Sequence, residues 1–154
     1  MGFRVVSLDA ALVEEVRATG RAPECGHPVV REVARGTGPC RSCLGTFAVG
    51  KEQRLLFTYR PPSGRAAVGA PGPVFIHADE CPRFEGSGFP EGLRRLPLLA
   101  EARTEDGRVL ATAPLSGSTV ESVLDGLLGD AEVAFLFLRH AEAGCHIARV
   151  DRLA

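Results

Sequence analysis

Cys40 and Cys43 stand two residues apart in PCRSCLG, and His77 and Cys81 stand three apart in GPVFIHADECPRF. Thiolates and imidazoles are the ligands that zinc takes, four of them in a tetrahedron. A turn rich in glycine and proline can aim both sulfurs of a C-x₂-C pair at one ion, and it leaves backbone N–H groups free to approach them. If the chain passes from the strand VFI into a helical turn, His77 and Cys81 fall on one face as an i, i+4 pair. Pro82 works against that turn, because a residue before proline is pushed out of the α region. The expectation is a zinc site of Cys40, Cys43, His77 and Cys81 whose ligand atoms converge within about 4 Å of one another. With all four positions filled by protein, the zinc would be structural and would staple the loop at 36–45 to the segment at 74–84.

The order of the ligands, with a loop pair, two strands and then a second pair, makes residues 40–84 similar to a treble-clef zinc finger. The run FIHADECPRF resembles the second half of such a finger, with histidine standing where the first cysteine is usual. Two other readings of the same thiols stay open. A thiol-dependent or zinc-dependent enzyme, hydrolase-like, would use Cys145 or a zinc position left open to water. Alternatively, free cysteines simply pack as small hydrophobes.

The remaining polar residues give weaker signals. Cys25 and His27 in ECGHP form a rival pair, but two ligands without partners do not make a site. Cys145 and His146 are adjacent on a predicted strand, so they should face opposite sides, with Cys145 in the core and His146 half exposed. Cys145 with His77 or His140 could form a catalytic dyad, although no spacing fixes their proximity. Arg139, Arg149 and Arg152 share the C-terminal region, while Arg41 and Arg60 flank the cysteine loop and a long loop. Together these arginines could hold an anion. There is no phosphate-cradling glycine loop, no G-x-S-x-G and no H-E-x-x-H.

These residues need a scaffold, and 154 residues suffice for one domain, 1–154, with a buried core. A net charge of −1 gives no electrostatic footprint for nucleic acid or an anionic membrane. Acidic residues interrupt MGFRVVSLDAALVEEV, which reads as no signal peptide, and no apolar run approaches the ~20 residues that span a bilayer. A cytoplasmic location is expected, in which an odd count of five cysteines disfavours disulfides. The partner is then an unspecified small molecule or protein, met through the loop at 60–73.

Apolar patterning predicts strands at 3–8, 28–35, 53–59, 74–77, 133–140 and 145–152. Asp106–Gly107 marks a hairpin between LLAEARTE and RVLATAPL. Asp9 should cap a helix that Gly20 stops, Ser118-x-x-Glu121 should form a capping box for a helix to Leu128, and PEGLRRL allows a helical turn or two. The fold class is α+β: a mostly antiparallel sheet of six or seven strands with about two helices on one side and a treble-clef-like metal loop.

Taken together, PVVREVA, PCRSCL, the strand ending in Tyr59–Arg60–Pro61, GPVFIHADEC and RHAEAGCHIARVDR resemble the bacterial family called domain of unknown function 1203. The likeness runs from FRVVSL to VDR. It implies no activity. It does place Cys40, Cys43, His77, Cys81 and Cys145 in the motif-bearing segments, with Arg149 in the closing one, and leaves Cys25 and His27 outside them.

Overall fold

The computed structural model describes residues 2–63, 66–67 and 71–153. Strand β1 (Phe3–Val6) leads into helix α1 (Ala10–Thr19), followed by β2 (Val30–Val33) and β3 (Gln53–Tyr59). The short strands β4 (Pro62–Ser63) and β5 (Ala66–Ala67) precede β6 (Gly72–His77). A single 3₁₀ turn at Glu91–Leu93 comes before the hairpin β7 (Leu98–Arg103) and β8 (Val109–Leu115). Helix α2 (Val120–Leu128), β9 (Phe135–His140) and β10 (His146–Arg152) complete the order. No helix among the described residues is long and apolar enough to cross a membrane.

The α+β class and the antiparallel pairing are as expected, and the eight longer strands divide between two sheets. Five strands lie in the order β1-β10-β9-β7-β8 and three in the order β2-β3-β6, with β4 and β5 pairing separately. The apolar run of β9 is explained by its central place, covered on both faces. Each helix serves a different sheet. Val120, Leu124 and Leu128 of α2 pack on Leu98, Ala100, Leu136 and Leu138. Val13 and Val16 of α1 pack on Leu55, Phe57, Val74 and Ile76 of the three-stranded sheet.

Local signals account for the element ends. Gly20 takes the left-handed conformation at φ 65°, and its N–H closes α1 on Val16 O at 2.9 Å. The β7–β8 turn runs through Gly107 at φ 92°, where the Arg108 N–H donates to Thr104 Oγ1 at 2.9 Å. The capping box at Ser118 does not form. Thr119 is the N-cap, without a side-chain cap bond, and the Glu121 carboxylate is taken by the Arg94 guanidinium instead. A charge-assisted pair holds that carboxylate better than the backbone N–H of a cap.

The second face of the five-stranded sheet is polar and aromatic. Because side chains alternate along a strand, Glu101 and Arg103 of β7, Phe135, Phe137 and Arg139 of β9, and His146 of β10 lie opposite the α2 core. The three-stranded sheet meets that face near β10. Arg41 joins the two, with its N–H bonded to Phe75 O at 2.9 Å and its Nε to His146 O at 2.8 Å.

Candidate metal centre

Cys40 and Cys43 lie in a turn knotted by its own backbone: Leu44 N–H donates to Cys40 O at 2.8 Å and Cys40 N–H to Gly45 O at 2.9 Å. Closing the turn requires a left-handed residue after Cys43, and Leu44 supplies it at φ 57°. A non-glycine residue in that conformation costs roughly 1–2 kcal/mol. Leu44 is 1% exposed within the larger apolar cluster, and that burial offsets the strain. Gly45 follows close against the sulfur, since a Cβ there would sit 3.4 Å from Cys43 Sγ, in van der Waals contact.

His77 ends β6 in the ladder opposite Arg54 of β3, and its backbone N–H donates to Cys40 Sγ at 3.3 Å. Cys81 arrives four residues later through a bend, not a helical turn. No helix or strand is found from 78 to 90. The proline after Cys81 is the physical reason. The bend brings the sulfur in all the same: Cys81 Sγ lies 3.8 Å from Cys40 Sγ, and His77 Nδ1 lies 3.6 Å from Cys43 Sγ. The four ligand atoms all fall within 4.8 Å of one another, close enough to bind a metal ion.

Groups around the cluster orient it and answer its charge. The His77 Nε2 edge faces Glu52 Oε2 at 3.2 Å, so the proton sits on Nε2 and Nδ1 presents its lone pair to the sulfurs. The Ala48 N–H, 2.7 Å from Glu52 Oε1, fixes that carboxylate and is the main cause that lowers its pKa, with His77 adding to it. Phe47 packs against the imidazole at 4.5 Å between ring centroids. Arg17 of α1 donates twice to His77 O, at 3.2 and 3.1 Å, and places Nη2 3.3 Å from Cys81 Sγ. Hydrogen bonds from Cys40 and Cys43, with Arg17 beside them, hold the Cys81 thiol far below its usual range. Cys40 is fully buried, while Cys43, His77 and Cys81 border an open cleft of about 540 Å³.

Residues 37–152 match the family described as Protein of unknown function (DUF1203). The chain belongs to that family. No curated protein and no solved structure matches it. In this DUF1203 member the matched span contains all four clustered residues and Cys145, and Cys25 and His27 lie outside it.

The other sequence-singled residues are dispersed. Cys25 is exposed, and His27 spends both ring nitrogens, Nδ1 on Pro28 O at 2.9 Å and Nε2 on the Thr58 N–H at 3.2 Å. His140 Nδ1 accepts from the N–H groups of Glu142 and Ala143, which caps the turn into β10. The His77 ring is held between Cys43 Sγ and the Glu52 carboxylate. Arg149 pairs with Asp151, Arg152 holds the carbonyls of Leu128 and Val133, and Arg60 is exposed, so the five arginines form no common cleft. Cys145 is not a small core residue. It is half-buried, and with His146 it lines a second cavity instead of facing away from it. Arg17 and Glu52 escaped the sequence reading, since nothing near either marks it; Arg17 meets partners 60 and 64 positions away.

Proposed function

We propose that this DUF1203 protein binds one zinc ion through Cys40, Cys43, His77 and Cys81, that the zinc is structural, and that the folded unit serves as a binding or accessory module for a small molecule or protein partner. One observation carries the reading. A tetrahedral zinc with Zn–S of about 2.3 Å and Zn–N of about 2.1 Å has S···S edges of about 3.8 Å and S···N edges of about 3.6 Å. The Cys40–Cys81 and Cys43–His77 separations are 3.8 and 3.6 Å.

Further support comes from the outer contacts. A carboxylate on the far nitrogen of a ligating histidine is the usual companion of a zinc-bound imidazole, and Glu52 stands there. Three thiolates and a neutral imidazole around a divalent ion leave one negative charge, which Arg17 faces. The order of knuckle, antiparallel strands and second ligand pair agrees with a treble clef, although a bend replaces the helix at Cys81. Four protein ligands leave no position for a water nucleophile, which favours a structural over a catalytic ion. In this reading the long loop at 60–73 is the docking segment. Residues 64–65 and 68–70 of that loop lie outside the described residues.

Elemental analysis of protein purified without added metal tests the proposal. It expects about one zinc per chain, lost in Cys40→Ser and Cys81→Ser. Less than about a tenth of an equivalent, with stability unchanged in strong chelator, overturns it.

A further inference from the structure

Between the two sheets, away from the metal cluster, lies a cavity of about 280 Å³. Tyr59 and Gly72 form one wall, and Glu101, Arg139, Cys145 and His146 form another. Burying ionised groups is costly even when they pair. Glu101 is 5% exposed and Arg103 7%. Arg103 and Arg139 both bind that single carboxylate, one on each oxygen.

The count of charges leaves an excess of positive charge. Two guanidiniums share one carboxylate. A third, Arg41, stands behind the cavity wall at 4% exposure, bonded to the carbonyls of Pro39 and His146. No carboxylate among the described residues pairs with it.

Two groups on the wall are left without partners. Arg139 uses Nε on Gly144 O at 3.0 Å and Nη1 on Glu101 Oε2 at 2.9 Å, which leaves Nη2 available. Gly144, at φ 77°, permits this placement, since a Cβ there would stand 3.3 Å from Nη2. His146 Nδ1 is buried with no hydrogen-bond partner. Its ring lies between Tyr59 and Phe137, at 5.7 and 5.2 Å between centroids. A β-bulge just after His146 turns the strand at this point, as bulges near ligand sites often do.

We propose that this cavity is a binding site for a small organic anion, a carboxylate or a phosphate, which Arg139 grips and His146 Nδ1 hydrogen-bonds, with the Cys145 thiol presented to the bound anion. Surplus guanidinium charge selects the anion, and the neutral imidazole and Tyr59 limit its size. None of the four clustered residues lines the cavity, so the proposal can be tested separately from the zinc reading.

Alkylation of the full chain as purified tests the proposal, read cysteine by cysteine by peptide mass spectrometry. Iodoacetate and iodoacetamide are used side by side. In each case the Cys145 thiolate attacks the methylene carbon, the S–C bond forms, iodide leaves with the C–I electrons, and the thiol proton goes to buffer. The anionic reagent should be favoured at Cys145 relative to the exposed Cys25 by roughly tenfold, the scale on which clefts of one charge concentrate counter-ions. Inorganic phosphate or acetate, added at matched ionic strength, should slow the reaction at Cys145 and leave Cys25 unchanged. Protection by phosphate alone assigns the site to phosphoryl groups, and protection by acetate alone to carboxylates. Arg139→Gln should abolish the preference; the protection arm needs no variant and so survives any misfolding of that one. Equal reagent ratios at Cys145 and Cys25, an inert Cys145, or no protection by either anion overturns the proposal.

Discussion

The five-stranded sheet closes its inner face with α2 and a continuous apolar cluster that runs from Val5 to Val150. The three-stranded sheet has α1 and a smaller cluster, and the stretches at 34–52 and 78–90 that flank its strands hold neither helix nor strand. Those stretches carry Cys40, Cys43 and Cys81, three of the four clustered residues, and His77 ends the strand just before the second stretch. Where regular structure is dense, apolar burial alone can offset the entropy of ordering the chain; where it is sparse, a local cross-link is needed. The contrast extends to polar groups. Charges near the metal cluster, Arg17 and Glu52, orient ligands, whereas the charges on the far face of the larger sheet surround an open cavity.

Removing the metal is the largest way to separate the two regions. Strong chelator, or Cys40→Ala, should withdraw on the order of 10 kcal/mol of apparent folding free energy from the smaller region. In hydrogen exchange, the amides of Leu44, Phe47 and Phe84 should lose protection while those of β9 and β10 keep it. Uniform loss across both sheets, or none, breaks the comparison.

Leu124→Ala attacks the other region. Leu124 is fully buried under the five-stranded sheet, so the cavity should cost about 2–5 kcal/mol in denaturant unfolding. Zinc content should remain at one per chain. A variant that also loses its metal would show that the two regions depend on each other.

Acid offers a third handle. Burial first, then the charges of Arg41 and Arg139, depress the His146 imidazole from 6.5 to about 3. Between those values the unfolded chain takes up a proton that the folded one refuses, so stability is complete above about pH 6.5 and declines as pH falls towards 3. The full shift is equivalent to at most ~5 kcal/mol. Acid would also displace a metal from the Cys40, Cys43, His77 and Cys81 cluster, so the useful quantity is the difference in slope between the parent and His146→Gln. Equal slopes would mean that the imidazole is not in the environment described.

The smallest effect belongs to Glu52→Gln. Loss of the carboxylate behind His77 should weaken metal affinity about 10–100-fold in competition with a chelating dye. With metal in excess, the melting temperature should hardly move. An unchanged affinity would mean that Glu52 does not orient the ligand.

Much of the fold was legible in local pattern. Apolar runs and turn residues marked all eight longer strands, because a strand's side-chain period and a glycine's backbone freedom are written within a few residues. The capping box was misread for the opposite reason: Glu121 is claimed by Arg94, 27 positions away, and no local rule anticipates that competitor. The division of the strands into two sheets is likewise a matter of long-range pairing, such as β1 with β10.

The four clustered residues could be named from the sequence because ligand type and close spacing within each pair are properties of the chain itself. Their convergence through a bend at Cys81, the charges of Arg17 and Glu52 against them, and the meeting of Cys145 and His146 in one cavity were decided by tertiary structure alone. Coulomb and hydrogen-bond energies depend on distance in space, and separation along the chain does not encode it.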